Sequence, residues 1–291
     1  MQLDFKPVTL AEIPLLQSYF IRGRSRLCDQ TLGGAMMWRG HFHTRYALRE
    51  GYLFLQSEHI PGEFAFMPPM GEGDRGLALL EEHIAESGAV RVFCGVGEEE
   101  KERILSFYPH LTATPTREWF DYLYHTESLA TFRGKKLSGQ RNHRNSFLKQ
   151  HADWCFEELC EKNLPDARAF FFSYGEQVQK DSTYFETEQS IVREVLEHFE
   201  EYGFFGGLIR AEGQVVAMSV GEIVGDTLFV HIEKASRNVR GAYPMMVSEF
   251  LRRFGEGVPF VNREEDMGDT GLRYSKESYH PCRLLEKYVL R

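Results

Sequence analysis

Gly206-Gly207-Leu208-Ile209-Arg210-Ala211, Gln214-Val215-Val216-Ala217-Met218-Ser219-Val220-Gly221-Glu222-Ile223-Val224 and Thr227-Leu228-Phe229-Val230-His231-Ile232-Glu233-Lys234 are three runs dominated by apolar and small residues. Two short breaks, Glu212-Gly213 and Gly225-Asp226, separate them. Runs of this kind joined by Gly-containing turns predict a three-stranded antiparallel meander. After the meander, a helix from Pro244 carries Met246, Phe250 and Phe254 on one side. A strand over Pro259–Asp266, a helix over about 270–279 and a last strand over Arg283–Leu290 complete the C-terminal series. Before it stand a strand near Trp154–Leu159, a helix from about Pro165, and a helix over about 185–202 that aligns Val192, Val195, Leu196 and Phe199. Strands and helices in this order predict an α/β (α+β) unit with a mixed, mostly antiparallel sheet.

The N-terminal part gives a similar, less regular reading. Thr9 and Glu12 form a capping-box pattern ahead of Ile13, Leu16 and Phe20. Residues 46–57 and 63–68 alternate as strands. A helix follows with Leu77, Leu80 and Ile84 inward, then a strand near Val90–Val96, a helix over Glu98–Phe107 and a strand over Trp119–His125. A chain of 291 residues is comfortable for two domains. The expected division is 1–125, a basic interdomain segment 126–150, and 151–291.

Composition narrows the function. No run approaches the roughly 18–20 apolar residues of a membrane span, and Met1–Pro7 has no signal-peptide pattern. Cys28, Cys94, Cys155, Cys160 and Cys282 are odd in number and form no CxxC pair, which points to reduced thiols in the cytoplasm. The net charge of −9 argues against broad attraction to nucleic acid or anionic lipid. Yet no acidic residue falls between Glu127 and Asp153, while Arg133, Lys135, Lys136, Arg141, Arg144 and Lys149 do.

Three stretches carry candidate chemistry. In Asn262-Arg263-Glu264-Glu265-Asp266, strand alternation would put Asn262, Glu264 and Asp266 on one face and Arg263 and Glu265 on the other. Asp269 suits an N-cap, and Arg273, Lys276 and His280 would then form one cationic stripe beside Tyr279. Carboxylates that take a proton from an amine, facing cations that hold negative charge, are what an acyl transfer requires. A solvated ion-pair network that pins helix to sheet gives the same pattern. The second stretch, Lys135, Lys136, Arg141 and Asn142 with Phe132 and Phe147, combines cations with hydrogen-bonding and stacking groups as a nucleic-acid surface does. An interdomain helix with a basic face does so too. In the third, Arg237, Arg240 and Gly241 precede a helix whose N–H groups could receive a phosphate, although Pro244 has no N–H to give. Neither His41-x-His43 nor His280-x-Cys282 has partners at metal spacing, so no metal is expected. The order helix, helix, meander, helix, strand, helix, strand is that of an N-acyltransferase domain of the GNAT class.

Asn262–Asp269 with Gly271, Leu272, Arg273, Lys276, Ser278, Tyr279 and Pro281, and Tyr122–Tyr124 through Gly134–Lys136 to Arg141–His143, resemble the two signatures of a bacterial family of uncharacterised proteins. That family is related to the C-terminal domain of phosphatidylglycerol lysyltransferases. The resemblance covers nearly the whole chain and implies two tandem GNAT-like domains, as in Fem-type transferases that take amino acids from aminoacyl-tRNA. It implies aminoacyl-tRNA as donor, with Lys135, Lys136 and Arg141 at the acceptor end of the tRNA. Glu264 or Asp266 would orient or deprotonate the acceptor, and Arg273 and Lys276 would counter negative charge. The chain lacks the membrane-spanning half of the lysyltransferases, which favours a soluble small-molecule or peptide acceptor. Two alternatives stand beside this one: acetyl-CoA-dependent N-acetyl transfer through the Arg237–Ala242 loop, and a non-catalytic binding protein on the same fold.

Overall fold

The computed structural model describes residues 2–21, 25–177 and 183–291. It separates into two units, 1–121 with 265–268 and 284–291, and 122–264 with 269–283. In the first unit β1 (Lys6–Pro7), α1 (Ile13–Phe20) and α2 (Leu32–Met37) lead into the meander β2 (Arg45–Arg49), β3 (Tyr52–Ile60) and β4 (Glu63–Phe66). Then come α3 (Arg75–Ser87), β5 (Phe93–Val96), α4 (Glu98–Phe107) and β6 (Ala113–Pro115). The capping box forms as expected: Thr9 accepts from the Ala11 N–H and Glu12 accepts from the Thr9 N–H. The single alternating run read over 46–57 is two strands, because Glu50 and Gly51 both adopt positive φ (50° and 80°) and turn the chain between them. Phe54, Phe66, Leu79, Leu80, Phe93 and Leu290 make the centre of this unit's core.

β7 (Asp121–His125), α5 (Thr126–Thr131), α6 (Ser138–Gln150), β8 (Cys155–Glu158), α7 (Leu164–Gln177), α8 (Thr183–Glu197) and α9 (Phe199–Tyr202) open the second series. The meander is β9 (Phe205–Ala211), β10 (Gln214–Val224) and β11 (Thr227–Ala235), followed by α10 (Ala242–Phe254), β12 (Phe260–Asn262) and α11 (Thr270–Glu277). Glu212 and Gly213 both have positive φ (53° and 73°), the geometry of a two-residue hairpin matched to strand twist. The basic segment is not a separate linker: α5 and α6 belong to the second unit, where Arg144 donates to Ser248 Oγ of α10 at 3.1 Å.

The expected last strand, 283–290, is two: β13 (Arg283–Leu285) and β14 (Tyr288–Leu290). They enter different sheets. One sheet runs β1-β2-β3-β4-β5-β14-β6 and the other β13-β7-β12-β11-β10-β9-β8. Read in matching order the two are the same: an antiparallel meander, a parallel neighbour (β4 with β5, β11 with β12), then an antiparallel strand and an edge strand. The antiparallel strand is exchanged. β14, from the C-terminus, pairs with β5, and β7, from the first half of the chain, pairs with β12. Sequence periodicity carries no sign of this exchange, since an apolar run reads alike in either sheet. Among the described residues no helix is long and apolar enough to cross a membrane.

Candidate active site

β11 and β12 run parallel only from Thr227↔Phe260 to Phe229↔Asn262. Beyond that rung the ladder stops, and its end is encoded locally. Asn262 is fully buried and its Oδ1 accepts from the Glu264 N–H at 2.6 Å, while Glu264 takes φ 56°. Positive φ cannot continue a strand, so the strand read through to Asp266 ends at Asn262. The alternation expected over Glu264–Asp266 therefore does not hold.

The gap beyond the last rung is crossed by charge. His231 and Glu233 follow Phe229 at two-residue steps on β11, and Arg263 and Glu264 follow Asn262. His231 Nδ1 meets Glu264 Oε1 at 2.7 Å, its Nε2 meets Glu222 Oε1 of β10 at 2.9 Å, and its side chain is 0% exposed. Burial works against charging this ring, but the hydrogen bonds to Glu222 and Glu264 outweigh it and push the pKa up to about 10. The group is an imidazolium donating to two carboxylates at neutral pH. Phe204 and Phe229 flank it, with centroids 5.3 and 6.4 Å away.

Arg263 donates from Nη2 to Glu233 Oε1 at 2.6 Å, and its guanidinium lies 4.4 Å from the Tyr279 ring centroid. Its Nη1 is buried without a partner among the described residues. Lys276 is buried, and its ammonium donates to the Arg263 carbonyl at 2.5 Å. It is held inward, whereas His280 lies beyond the end of α11 at φ 53°, exposed, with Nε2 3.1 Å from the Lys136 carbonyl. The stripe expected for Arg273, Lys276 and His280 therefore stops with the helix at Glu277. Asp269 caps α11 as expected, accepting from the Leu272 N–H at 2.9 Å.

Asp266 belongs to the first unit, is 0% exposed, and is held by Arg117 Nη1 at 3.0 Å and the Gly268 N–H at 2.9 Å. A carboxylate this enclosed has nowhere to take a proton from a substrate. Lys135, Lys136 and Asn142 are exposed, but Arg141 donates to the Phe132 and Gly134 carbonyls at 2.5 and 2.9 Å and shapes the turn before α6. At the start of α10, Arg237 and Arg240 are exposed, and Gly241 takes φ 85° with its Cα so close to the His143 carbonyl that a Cβ would fall 2.2 Å from that oxygen. The Ala242 N–H is spent on the Val239 carbonyl at 3.2 Å, and Pro244, third in the helix, has none. That leaves a poor cradle for a phosphate.

A second cluster lies wholly in the first unit. Lys287, 1% exposed, contacts Asp121 at 2.8 Å, Cys28 Sγ at 3.2 Å, Glu265 at 3.3 Å, and Asp29. Burial pushes the Asp121 carboxyl up to about 7, against the pull of the ammonium, and burial also raises the Cys28 thiol well above its usual range. Ligand atoms of Cys28, Asp121 and Glu265 lie within 4.8 Å of one another, but the Lys287 ammonium already occupies them. Of the first cluster the sequence flagged Arg263, Glu264 and Lys276; the second was not legible. Partners 93 and 259 residues apart leave no spacing to read. His231 and Glu222 did give a signal: charged residues within otherwise apolar central strands.

The fold and sequence resemble those of several known proteins. A conserved protein of unknown function from Bacteroides thetaiotaomicron is 29% identical over 99% of both chains, with a TM-score of 0.90. The C-terminal domain of a putative lysylphosphatidylglycerol synthetase from Agrobacterium fabrum aligns over 97% of this chain and 92% of that one (TM-score 0.67, 12% identity). FemX aligns over 99% and 97% (TM-score 0.64, 9% identity). An uncharacterised protein of Mycoplasmoides gallisepticum is 25% identical over 172 residues, 59% of this chain and 56% of that relative's length. The architecture is thus the one shared by FemX and the lysylphosphatidylglycerol synthetase domain. Residues 22–291 match the family described as phosphatidylglycerol lysyltransferase, C-terminal, and the chain belongs to that family.

Proposed function

We propose that the chain transfers an aminoacyl group from aminoacyl-tRNA to a soluble amine or hydroxyl acceptor, with Glu264 as the base. The observation that carries this reading is Glu264 itself. It is a partly exposed carboxylate (23%) held by a buried imidazolium where two parallel strands part, the kind of crevice in which α/β sheets bind ligands. In the reaction the acceptor nitrogen or oxygen bonds to the ester carbonyl carbon and the bond to the ribose oxygen breaks. The acceptor's proton passes to Glu264, which returns it to the ribose oxygen, so that oxygen leaves as a hydroxyl and Glu264 is restored. Arg263, buried and paired with Glu233, and Lys276, bound to the Arg263 carbonyl, position the backbone that carries Glu264. Lys135 and Lys136 attract the phosphates of the tRNA end. Coenzyme A is disfavoured as the donor, because the α10 start spends one N–H internally and lacks another.

The test is a binding screen near physiological ionic strength against aminoacylated tRNA, deacylated tRNA, coenzyme A and acetyl-CoA. Preference for the aminoacylated form is expected, and Glu264→Gln should lower transfer by about 100-fold while leaving that binding intact. Saturable coenzyme A binding without tRNA preference would overturn the reading.

A further inference from the structure

α11 is built inside out. Its one buried residue is Lys276, while Leu272 is 41% and Tyr274 78% exposed. Tyr274 thus leaves most of a large, rigid aromatic ring open to a partner. The position narrows what that partner is. Tyr274 and Ser278 lie four residues apart, one above the other on the same helix face. Ser278 Oγ accepts from Gln140 Nε2 of α6 at 2.9 Å, and His280 reaches the Lys136 carbonyl. Tyr274 therefore stands about one helical turn, roughly 5.4 Å, from the junction with the basic segment. That segment exposes Arg133, Lys135, Lys136 and His143 with no carboxylate between Glu127 and Asp153. Cations beside an exposed aromatic ring are the two parts of a single-strand nucleic-acid site, one for phosphates and one for a base face.

We propose that Tyr274 is the stacking platform for an unpaired nucleotide at the end of an RNA whose phosphates are held by Lys135 and Lys136. The inference rests on the aminoacyl-tRNA reading and adds the group that engages the base. Because the tyrosine ring makes the contact through its π face, the site tolerates any base and needs the nucleotide to be unpaired.

The experiment measures anisotropy of a short labelled single-stranded oligoribonucleotide, and of the same sequence in a duplex, with the full chain across a salt series. Tyr274→Ala is expected to weaken single-strand binding about tenfold, the worth of one stacked base, without changing the salt slope. Tyr274→Phe should retain binding, and duplex binding should not respond to either change. Lys135→Gln with Lys136→Gln should instead flatten the slope by about 1.4, or 0.7 per phosphate for single strands. Equal single-strand binding by wild type and Tyr274→Ala overturns the platform and leaves the donor reading standing. Failure of the wild type to bind single-stranded RNA overturns the platform, whereas failure to prefer aminoacylated tRNA overturns the donor reading. A concentration-dependent dimer that Tyr274→Ala dissolves, with RNA binding unchanged, would assign the patch to a second copy of the chain instead.

Discussion

Lys287 in the first unit and His231 in the second are both buried cations clasped by carboxylates, but they sit on different kinds of backbone. Lys287 gathers Cys28, Asp29, Asp121 and Glu265, so its cluster ties together segments that the chain separates by up to 259 residues. His231 gathers Glu222 and Glu264 across strands that are already neighbours, at the rung where one pair of them stops bonding. The first arrangement replaces backbone hydrogen bonding between distant segments; the second replaces it between strands that have parted. An ion cluster of the first kind holds a fold, and one of the second kind leaves a polar opening in it. The centre also differs in chemistry. A lysine in such company stays charged across the accessible range, while an imidazole with its pKa pushed up to about 10 can still be discharged in alkali.

The sharpest way to break this comparison is Lys287→Met. Removing one partner of a buried ion cluster leaves uncompensated carboxylates, and a loss of about 3–5 kcal/mol in urea unfolding is expected. Adding Asp121→Asn and Glu265→Gln to that variant should recover part of the loss. A loss below about 1 kcal/mol would mean the cluster is not a fastener. His231→Gln should cost less at neutral pH, because the amide keeps one hydrogen bond to a carboxylate. Its pH dependence is the diagnostic. A raised folded-state pKa contributes stability in full below the unfolded value of about 6.5. The contribution is lost as pH rises through the folded value of about 10. Wild type and variant should therefore converge in midpoint between neutral pH and about 10, and a pH-independent gap would show that the imidazolium is not what bridges the strands. The smallest effects belong to the basic segment. Arg141→Ala should cost about 1 kcal/mol by uncovering two carbonyls, read by thermal unfolding, while Lys135→Ala and Lys136→Ala should leave the melting curve unmoved.

What could be read beforehand follows the range of each interaction. The meander, the Thr9 capping box and the Asp269 cap depend on residues within a few positions of one another, and each formed as its pattern implied. Glu264 and Lys276 stood out because they lie in a dense polar stretch, but their orientation depends on a left-handed backbone at Glu264. A glutamate there carries no glycine-like flag, so the alternation of an ideal strand misplaced the following residues. Asp266 looked like a partner of Glu264 on spacing alone. Its burial against Arg117, 149 residues away, is tertiary and invisible to any local rule. Arg141 resembled its neighbours Lys135 and Lys136 by charge. Only the two carbonyls it covers distinguish it.

The exchanged strands bear on how the molecule is made. During synthesis the first unit emerges early, yet an inner strand of its sheet is β14, Tyr288–Leu290. Until β14 has left the ribosome, β5 and β6 flank an empty place in that sheet, with an unpaired edge of the sort that invites wrong partners. Closing it joins Tyr288 to Val96 and to Pro115, and pairings that distant in sequence form slowly. A truncation of only the final four residues, Tyr288–Arg291, should therefore harm the beginning of this protein more than its end.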